Sequence, residues 1–225
     1  MIILTDLSEV LIRGVYKLEN RVESLYGTDV GMEFVVRKHE MQEQFEYLMR
    51  GCMTEDKFWR VFLRKGHWPF GVPEIKSLLS QHFSTEIPGT LELYSSIVSY
   101  PNTIETSKGK RYGKDRMDGR PEFWLVSDHI AEREEELEYL HPEVFKLISH
   151  RIWSYDEVAL KKDPAFFHRL LKKNDLRPEE VIFIDDYPEN TGSSSKANID
   201  SFWFRNAWQL KHLLIRSGFR FAKND

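Results

Sequence analysis

An α/β fold, a doubly wound parallel sheet with a helical insert, is what three observations on this 225-residue sequence predict. Short, apolar, β-branched runs end in polar residues. Amphipathic stretches of about ten residues separate them, as in βαβ units. The alternation also breaks off after the first run, gives way to a long helical stretch, and then resumes. Apolar runs without strict alternation belong to strands buried on both faces, which is the condition of a parallel sheet covered by helices.

The first strand is Ile2 to Thr5, running straight into Asp6. From about Tyr16 to Phe83 the pattern is helical. Met41, Phe45, Leu48 and Met49 share one helix face, and Phe58 and Phe62 continue a similar stripe. Thr54 followed by Glu55 and Asp56 predicts a helix start, with a capping hydroxyl and acids in the first turn. Pro69, Gly71 and Pro73 punctuate the segment before another short helix. Strands are then expected at Phe123 to Val126, Arg151 to Trp153, Val181 to Ile184 and Ser201 to Phe204. Helices are expected at Thr90 to Ser99, Ala131 to Leu140, Pro164 to Asn174, Glu189 to Ala197 and Ala207 to Ser217. The stretch from Pro101 to Arg120 has no usable periodicity. It carries Lys108, Lys110, Arg111, Lys114, Arg116 and Arg120 among three glycines, and reads as a mobile, solvated loop.

Composition narrows the function classes. Hydrophobic residues make up 41% and charged residues 30%, which suits a globular chain. A net charge of −4 gives no global pull toward nucleic acid or anionic membranes. The single cysteine, Cys52, excludes an internal disulfide and a cysteine-based metal cluster, so a reducing, cytoplasmic setting is expected. The N-terminal run meets the charge of Asp6 too early for a secretion signal.

In a parallel sheet, ligands bind beyond the carboxyl ends of the strands, and four polar positions stand there. They are Asp6 with Ser8, Ser127 with Asp128, Lys161, and the pair Asp185–Asp186. Their chemistry is coherent. A carboxylate such as Asp6 can attack phosphorus. Two anions repel, so a divalent cation is needed between them, and Mg2+ takes one or two carboxylates plus substrate oxygens. Asp6 and one of the Asp185–Asp186 pair would supply those carboxylates. Lys161 and Ser127 would neutralise and hold the phosphoryl group.

These residues carry a resemblance to the haloacid dehalogenase superfamily, in the subgroup whose helical cap is inserted after the first motif. The segments are Asp6 to Leu11, Phe123 to Asp128, Ser154 to Phe166 around Lys161, and Val181 to Asn190 with its Asp-Asp pair. The Pro88-Gly89 turn and the stretch Met53 to Trp59 are similar as well. The resemblance implies a Rossmann-like core of residues 1–14 and 86–225 and a helical cap of residues 15–85. It implies Asp6 as nucleophile and metal ligand, with Ser127 and Lys161 as the other catalytic groups. Ser8, Ser127, Asp128 and Lys161 would surround the phosphate. Mg2+ would be held by Asp6, the Ser8 backbone carbonyl, Asp186 and Asp185, the last two in exchangeable roles, with Asn190 supporting the acidic loop. The implied substrate is a small phosphorylated metabolite.

The sequence departs from the family at Ser8, where phosphatases of this kind usually carry a second aspartate as general acid and base. A hydroxyl cannot shuttle a proton as a carboxylate does. Three outcomes stay open: another group such as Glu9 or a cap residue serves, turnover is slow, or turnover is lost and binding remains. A metal-free dehalogenase would tolerate Ser8 but has no need of Asp185–Asp186. A non-catalytic binding protein on the same fold is the remaining alternative. Arg37, Lys38 and Arg50 read as solvated helix faces. The acidic run Glu132 to Glu138 reads as a helix face favoured by the dipole.

Overall fold

The computed structural model describes residues 1–99, 104–105, 111–112, 120–219 and 221. Its strands are β1 (Ile2–Thr5), β2 (Ile104–Glu105), β3 (Arg111–Tyr112), β4 (Glu122–Ser127), β5 (Ile148–Trp153), β6 (Val181–Asp185) and β7 (Asp200–Trp203). Five of them form one parallel sheet in the order β5-β4-β1-β6-β7, with the first strand at its centre. β2 and β3 pair antiparallel in a separate two-stranded ladder. That ladder replaces part of the expected structureless loop. Lys108, Lys110, Lys114 and Arg116 lie outside the described residues.

The pleat of the sheet divides the core in two, because successive side chains point to opposite faces. Leu4, Trp124, Val126 and Phe183 face one side and pack with Phe166, Phe167, Leu170 and Leu171. Those four residues are the apolar face of α10, numbered below. Ile3, Phe123, Leu125, Ile182 and Ile184 face the other side, with Tyr94, Ile97, Leu210 and Leu214. Tyr94 stacks on Phe123 at 4.5 Å between ring centroids.

Among the described residues, six α-helices lie between β1 and the next strand of the parallel sheet, the first five being α1 (Leu18–Tyr26), α2 (Thr28–Glu40), α3 (Gln42–Met49), α4 (Glu55–Phe62) and α5 (Val72–Phe83). Thr54 caps α4, its hydroxyl accepting from Lys57 N. The helix buries Phe58, Trp59 and Phe62 against Phe34, Phe45 and Trp68. The chain enters and leaves this segment through two strands of backbone that bond to each other. Arg13 N donates to Thr85 O at 2.8 Å and Ile87 N to Leu11 O at 2.8 Å.

The remaining helices are α6 (Thr90–Val98), α7 (Glu134–Leu140), α8 (Pro142–Leu147), α9 (Ser154–Glu157), α10 (Phe166–Lys173), α11 (Pro188–Lys196) and α12 (Ala207–Arg216). Two of them, α8 and α9, are too short to show a period in the sequence. The expected helix from Ala131 begins instead as a 3-10 turn over Ala131–Arg133. The expected start at Pro164 moves to Phe166, since Phe166 N bonds back to Asp163 O in a turn that closes first.

Candidate active site

β1 and β6 deliver two carboxylates to the same edge. Their register pairs Thr5 with Ile184, and Asp6 N donates to Ile184 O at 2.9 Å. Asp6 is 4% exposed, and every oxygen of its carboxylate is engaged. Oδ1 accepts from Leu7 N at 2.7 Å and from Ser127 Oγ at 2.9 Å. Oδ2 lies 2.7 Å from Lys161 Nζ. The same ammonium lies 2.7 Å from Asp185 Oδ2. Asp185 is held in turn by Tyr187 N at 2.8 Å and by the Asn190 side-chain amide at 3.1 Å. Asn190 therefore orients Asp185.

Asp186 is the more open member of the pair. Trp203 Nε1 donates to its backbone carbonyl at 2.8 Å, which leaves its carboxylate to the site. Asp6, Asp185 and Asp186 each offer an oxygen within 4.8 Å of the others. Burial, with the neighbouring charge of Asp6, pushes Asp186 up to about 7 and Asp185 up as well. Burial opposes the charge on Lys161, but Asp185, Asp6 and Asp128 outweigh it and hold the ammonium protonated. Two carboxylates thus pair with one buried ammonium, with the carboxylate of Asp186 close to both. The excess negative charge and the oxygen-only donor set suit a hard divalent cation.

Asp128 was expected beside a phosphate. Its carboxylate instead accepts the backbone amide of Lys161 at 3.1 Å, so what it orders is the lysine loop. Burial pushes it up to about 6. Lys161 lies in the loop after α9, away from the end of β5.

Ser8, two residues after Asp6, is buried, with no hydrogen-bond partner for its hydroxyl among the described residues. Its side chain rests against Gly14, where a Cβ would come within 2.4 Å of Ser8 Cβ. Glu9, a candidate to replace the missing acid, is tied elsewhere. It adopts a left-handed backbone (φ 59°), and its carboxylate accepts from Gly14 N at 2.9 Å and Arg13 Nη1 at 2.7 Å. That pairing closes the turn and turns the carboxylate toward Arg13.

Tyr16 is a site residue the sequence did not reveal. Its side chain is 36% exposed, yet its hydroxyl is enclosed, and burial with the charges of Asp128, Asp6 and Asp185 pushes it well above the usual phenol range. The ring is steered by an edge contact with Phe45 at 5.1 Å, and its carbonyl accepts from Lys38 Nζ at 2.8 Å. No periodic pattern marks such a residue, because it lies in a 3-10 turn at the mouth of the helical segment.

Arg50 and the acidic run are also more than solvated faces. Arg50 forms a two-point ion pair with Asp163, 2.8 and 3.1 Å. Glu134 accepts from Trp153 Nε1, Tyr155 OH and Arg151. Each partner lies far along the sequence, so only the fold could join them.

No protein-family model matches the sequence, and no curated protein matches it. Solved structures do. The haloacid dehalogenase (HAD) family enzyme BT-2542 of Bacteroides thetaiotaomicron, in complex with magnesium and inorganic phosphate, aligns over 94% of this chain and 97% of its own, at 14% identity and a TM-score of 0.65. The HAD-hydrolase YfnB of Bacillus subtilis, bound to magnesium, aligns over 95% and 97%, at 13% identity and a TM-score of 0.65. The L-2-haloacid dehalogenase RSc1362 aligns over 90% and 85%, at 14% identity and a TM-score of 0.61. Identities this low establish a shared fold, and that fold is the one HAD enzymes use.

Proposed function

We propose that this chain is a hydrolase of the haloacid dehalogenase superfamily that cleaves a small phosphate monoester, with Asp6 as nucleophile. The observation that carries the reading is the shared ammonium: Lys161 Nζ stands 2.7 Å from both Asp6 and Asp185, with Asp186 in the same cluster. Fold alone would not license an activity. This constellation is the machinery that phosphoryl transfer requires, a fixed nucleophile with positive charge and a hydroxyl donor beside it.

In this reading an oxygen of Asp6 attacks phosphorus, a P–O bond forms, and the ester P–O bond breaks, the leaving oxygen taking a proton from solvent to depart as the alcohol. Water then attacks the aspartyl-phosphate and frees inorganic phosphate and the carboxylate. Lys161 and Ser127 turn from Asp6 to the phosphoryl oxygens and hold them in line. Mg2+, held by Asp6, Asp186 and the Ser8 carbonyl with Asp185 in support, would neutralise the phosphoryl charge. Residues 15–85 would form the cap that excludes water and selects the substrate, over a core of residues 1–14 and 86–225. With Ser8 unable to shuttle a proton and Glu9 paired to Arg13, turnover is slow. No helix among the described residues is long and apolar enough to cross a membrane. A reducing cytoplasm completes the proposal, in keeping with one free cysteine.

The second reading is carbon–halogen hydrolysis, favoured by the dehalogenase among the neighbours and by the uncharged Ser8. It leaves Asp185 and Asp186 without a purpose. The deciding experiment compares wild type with Asp6→Asn on a panel of aryl, sugar and nucleotide phosphates, with and without Mg2+, and on a 2-haloacid. Metal-dependent phosphate release lost in the variant supports the phosphatase. Metal-independent halide release overturns it, and so does the absence of any release.

A further inference from the structure

The loop that presents Lys161 is gripped from outside by the helical segment, more than a hundred residues away in sequence. Asp163 is the centre of the grip. Its Oδ2 accepts from Leu160 N at 2.9 Å, which closes the turn around Lys161, and the same oxygen accepts from Arg50 Nη1 at 2.8 Å. Its Oδ1 takes the second arm of the guanidinium at 3.1 Å. On the other flank of the lysine, Lys162 Nζ pairs with Glu46 of α3 at 2.5 Å. Glu46 and Arg50 stand one helical turn apart, 4.0 Å between charges. The result is a line of alternating charges, Lys162, Glu46, Arg50, Asp163, each a quarter to a third exposed. Nearby, Ser154 Oγ donates to Met49 O while accepting from His129 N, so the end of α3 is also stitched to the loop that follows β4.

The chemistry of these contacts separates two jobs. Lys161 needs no partner outside the site to stay charged, since Asp6, Asp185 and Asp128 already hold its proton. What it does need is placement, because its ammonium must serve two carboxylates at once, and an error of about 1 Å in a positioned group can cost roughly 100-fold in rate. A carboxylate that accepts one backbone amide can rotate. One that also accepts both arms of a planar guanidinium is fixed in orientation. Burial disfavours the charged Asp163, yet the Arg50 hydrogen bond and the Leu160 amide keep it below the usual carboxylate range, so the grip persists at neutral pH.

We propose that Arg50, acting through Asp163, and Glu46, acting through Lys162, are positioning residues for Lys161, so that the lysine is correctly placed only while α3 is seated on the core. This rests on the phosphatase reading for its kinetic consequence and on geometry alone for its structural one. The clamp makes seating of the helical segment a condition for an assembled site. Substrate selection by that segment and catalysis by the core would then be coupled through two ion pairs.

The experiment uses the full chain and three variants, Arg50→Ala, Arg50→Lys and Asp163→Asn, with two readouts. Amide hydrogen exchange at Leu160 and Lys161 reports the turn without any substrate. Steady-state kinetics on the best phosphate ester report its effect. The clamp predicts exchange at these amides about tenfold faster in Arg50→Ala, kcat lower by about tenfold with KM within a factor of two, and partial restoration in Arg50→Lys. Asp163→Asn keeps an acceptor for Leu160 N but loses the ion pair, so it should match Arg50→Ala in kcat. Wild-type exchange at Leu160 and Lys161 in Arg50→Ala overturns the proposal. An effect on KM alone overturns it too, since that would make Arg50 a substrate contact. If the wild type releases no phosphate, the functional reading fails and the exchange measurement alone decides the clamp.

Discussion

The guanidinium of Arg133 grips the carboxylate of Glu55 at two points, Nε to Oε2 at 2.8 Å and Nη2 to Oε1 at 2.5 Å, across the boundary between the helical segment and the sheet layer. Both residues are buried, and Trp59 Nε1 and Ser80 Oγ satisfy further atoms of the pair. Removing Glu55 strips the buried guanidinium of its two-point partner and leaves Glu136, 2.5 Å from Nη1, as its remaining carboxylate. Glu55→Ala should therefore cost about 1–3 kcal/mol, read as a lower urea midpoint with unchanged slope. An unchanged midpoint would mean that water reaches Arg133 in the variant.

Lys161→Met removes the one ammonium among Asp6, Asp185 and Asp128. Phosphate release should fall by at least about 100-fold, as expected for a charge that stabilises the transferring group. The variant should also melt at a lower temperature in chelator, and Mg2+ should recover more of its stability than it adds to wild type. Equal Mg2+ stabilisation of both proteins would argue that the acidic cluster holds no metal.

Gly14→Ala tests a close approach. The backbone there (φ −114°, ψ 163°) is open to any residue, so conformational strain is not the issue. The new methyl would lie 2.4 Å from Ser8 Cβ and 2.7 Å from its hydroxyl. A cost of about 1–3 kcal/mol is expected from overpacking, together with reduced turnover, because Ser8, two residues from Asp6, would have to shift. The double variant Gly14→Ala/Ser8→Gly should recover most of the stability. Equal midpoints for single and double variants would refute the contact.

His129 supplies a pH test. It is fully buried against Phe83 and Trp153, its Nδ1 accepts from Ile130 N at 2.9 Å, and burial pulls it down to about 4. Below about pH 6.5 the unfolded chain takes up a proton that the folded one refuses. Stability therefore falls as pH drops from about 6.5 toward 4, by about 3 kcal/mol at full extent. Asp128, raised by burial, works in the opposite sense, holding its proton in the folded state over part of the same range. The informative quantity is the difference between wild type and His129→Phe, which should widen in favour of the variant as pH falls. A constant difference from pH 7 to 4.5 would show that His129 does not titrate this way.

The sheet was legible because a parallel strand buried on both faces leaves an unmistakable apolar run. Val181–Asp185 and Glu122–Ser127 fall within a residue of where their patterns place them. The site residues at strand ends were legible for the same reason: Asp6, Ser127 and Asp185 follow directly from the strands that carry them. Lys161 was legible as a cation beyond the third run, but its exact placement was not, since it hangs on a turn beyond the short α9. Arg50, Glu134 and Tyr16 were not legible. Each takes its meaning from partners on other elements, and a charged residue in a helix looks the same in sequence whether it faces water or an ion pair. Glu9 shows the reverse case, a carboxylate three residues from Asp6 whose role is decided by a left-handed turn and by Arg13.

The central place of β1 in the sheet bears on how the molecule is made. The strand precedes the helical segment, yet its two neighbours, β4 and β6, come from well beyond that segment. Pairings of such long range close slowly, and an apolar strand waiting for them exposes an adhesive edge. On the ribosome, the five helices that follow can collapse on their own aromatic core while Ile2 to Thr5 remain unpaired. Asp6, at the end of this strand, therefore reaches its place only after β4 and β6 have been made. Nascent chains arrested before Val181 should accordingly depend on holdase chaperones, whereas chains extended past Trp203 should not.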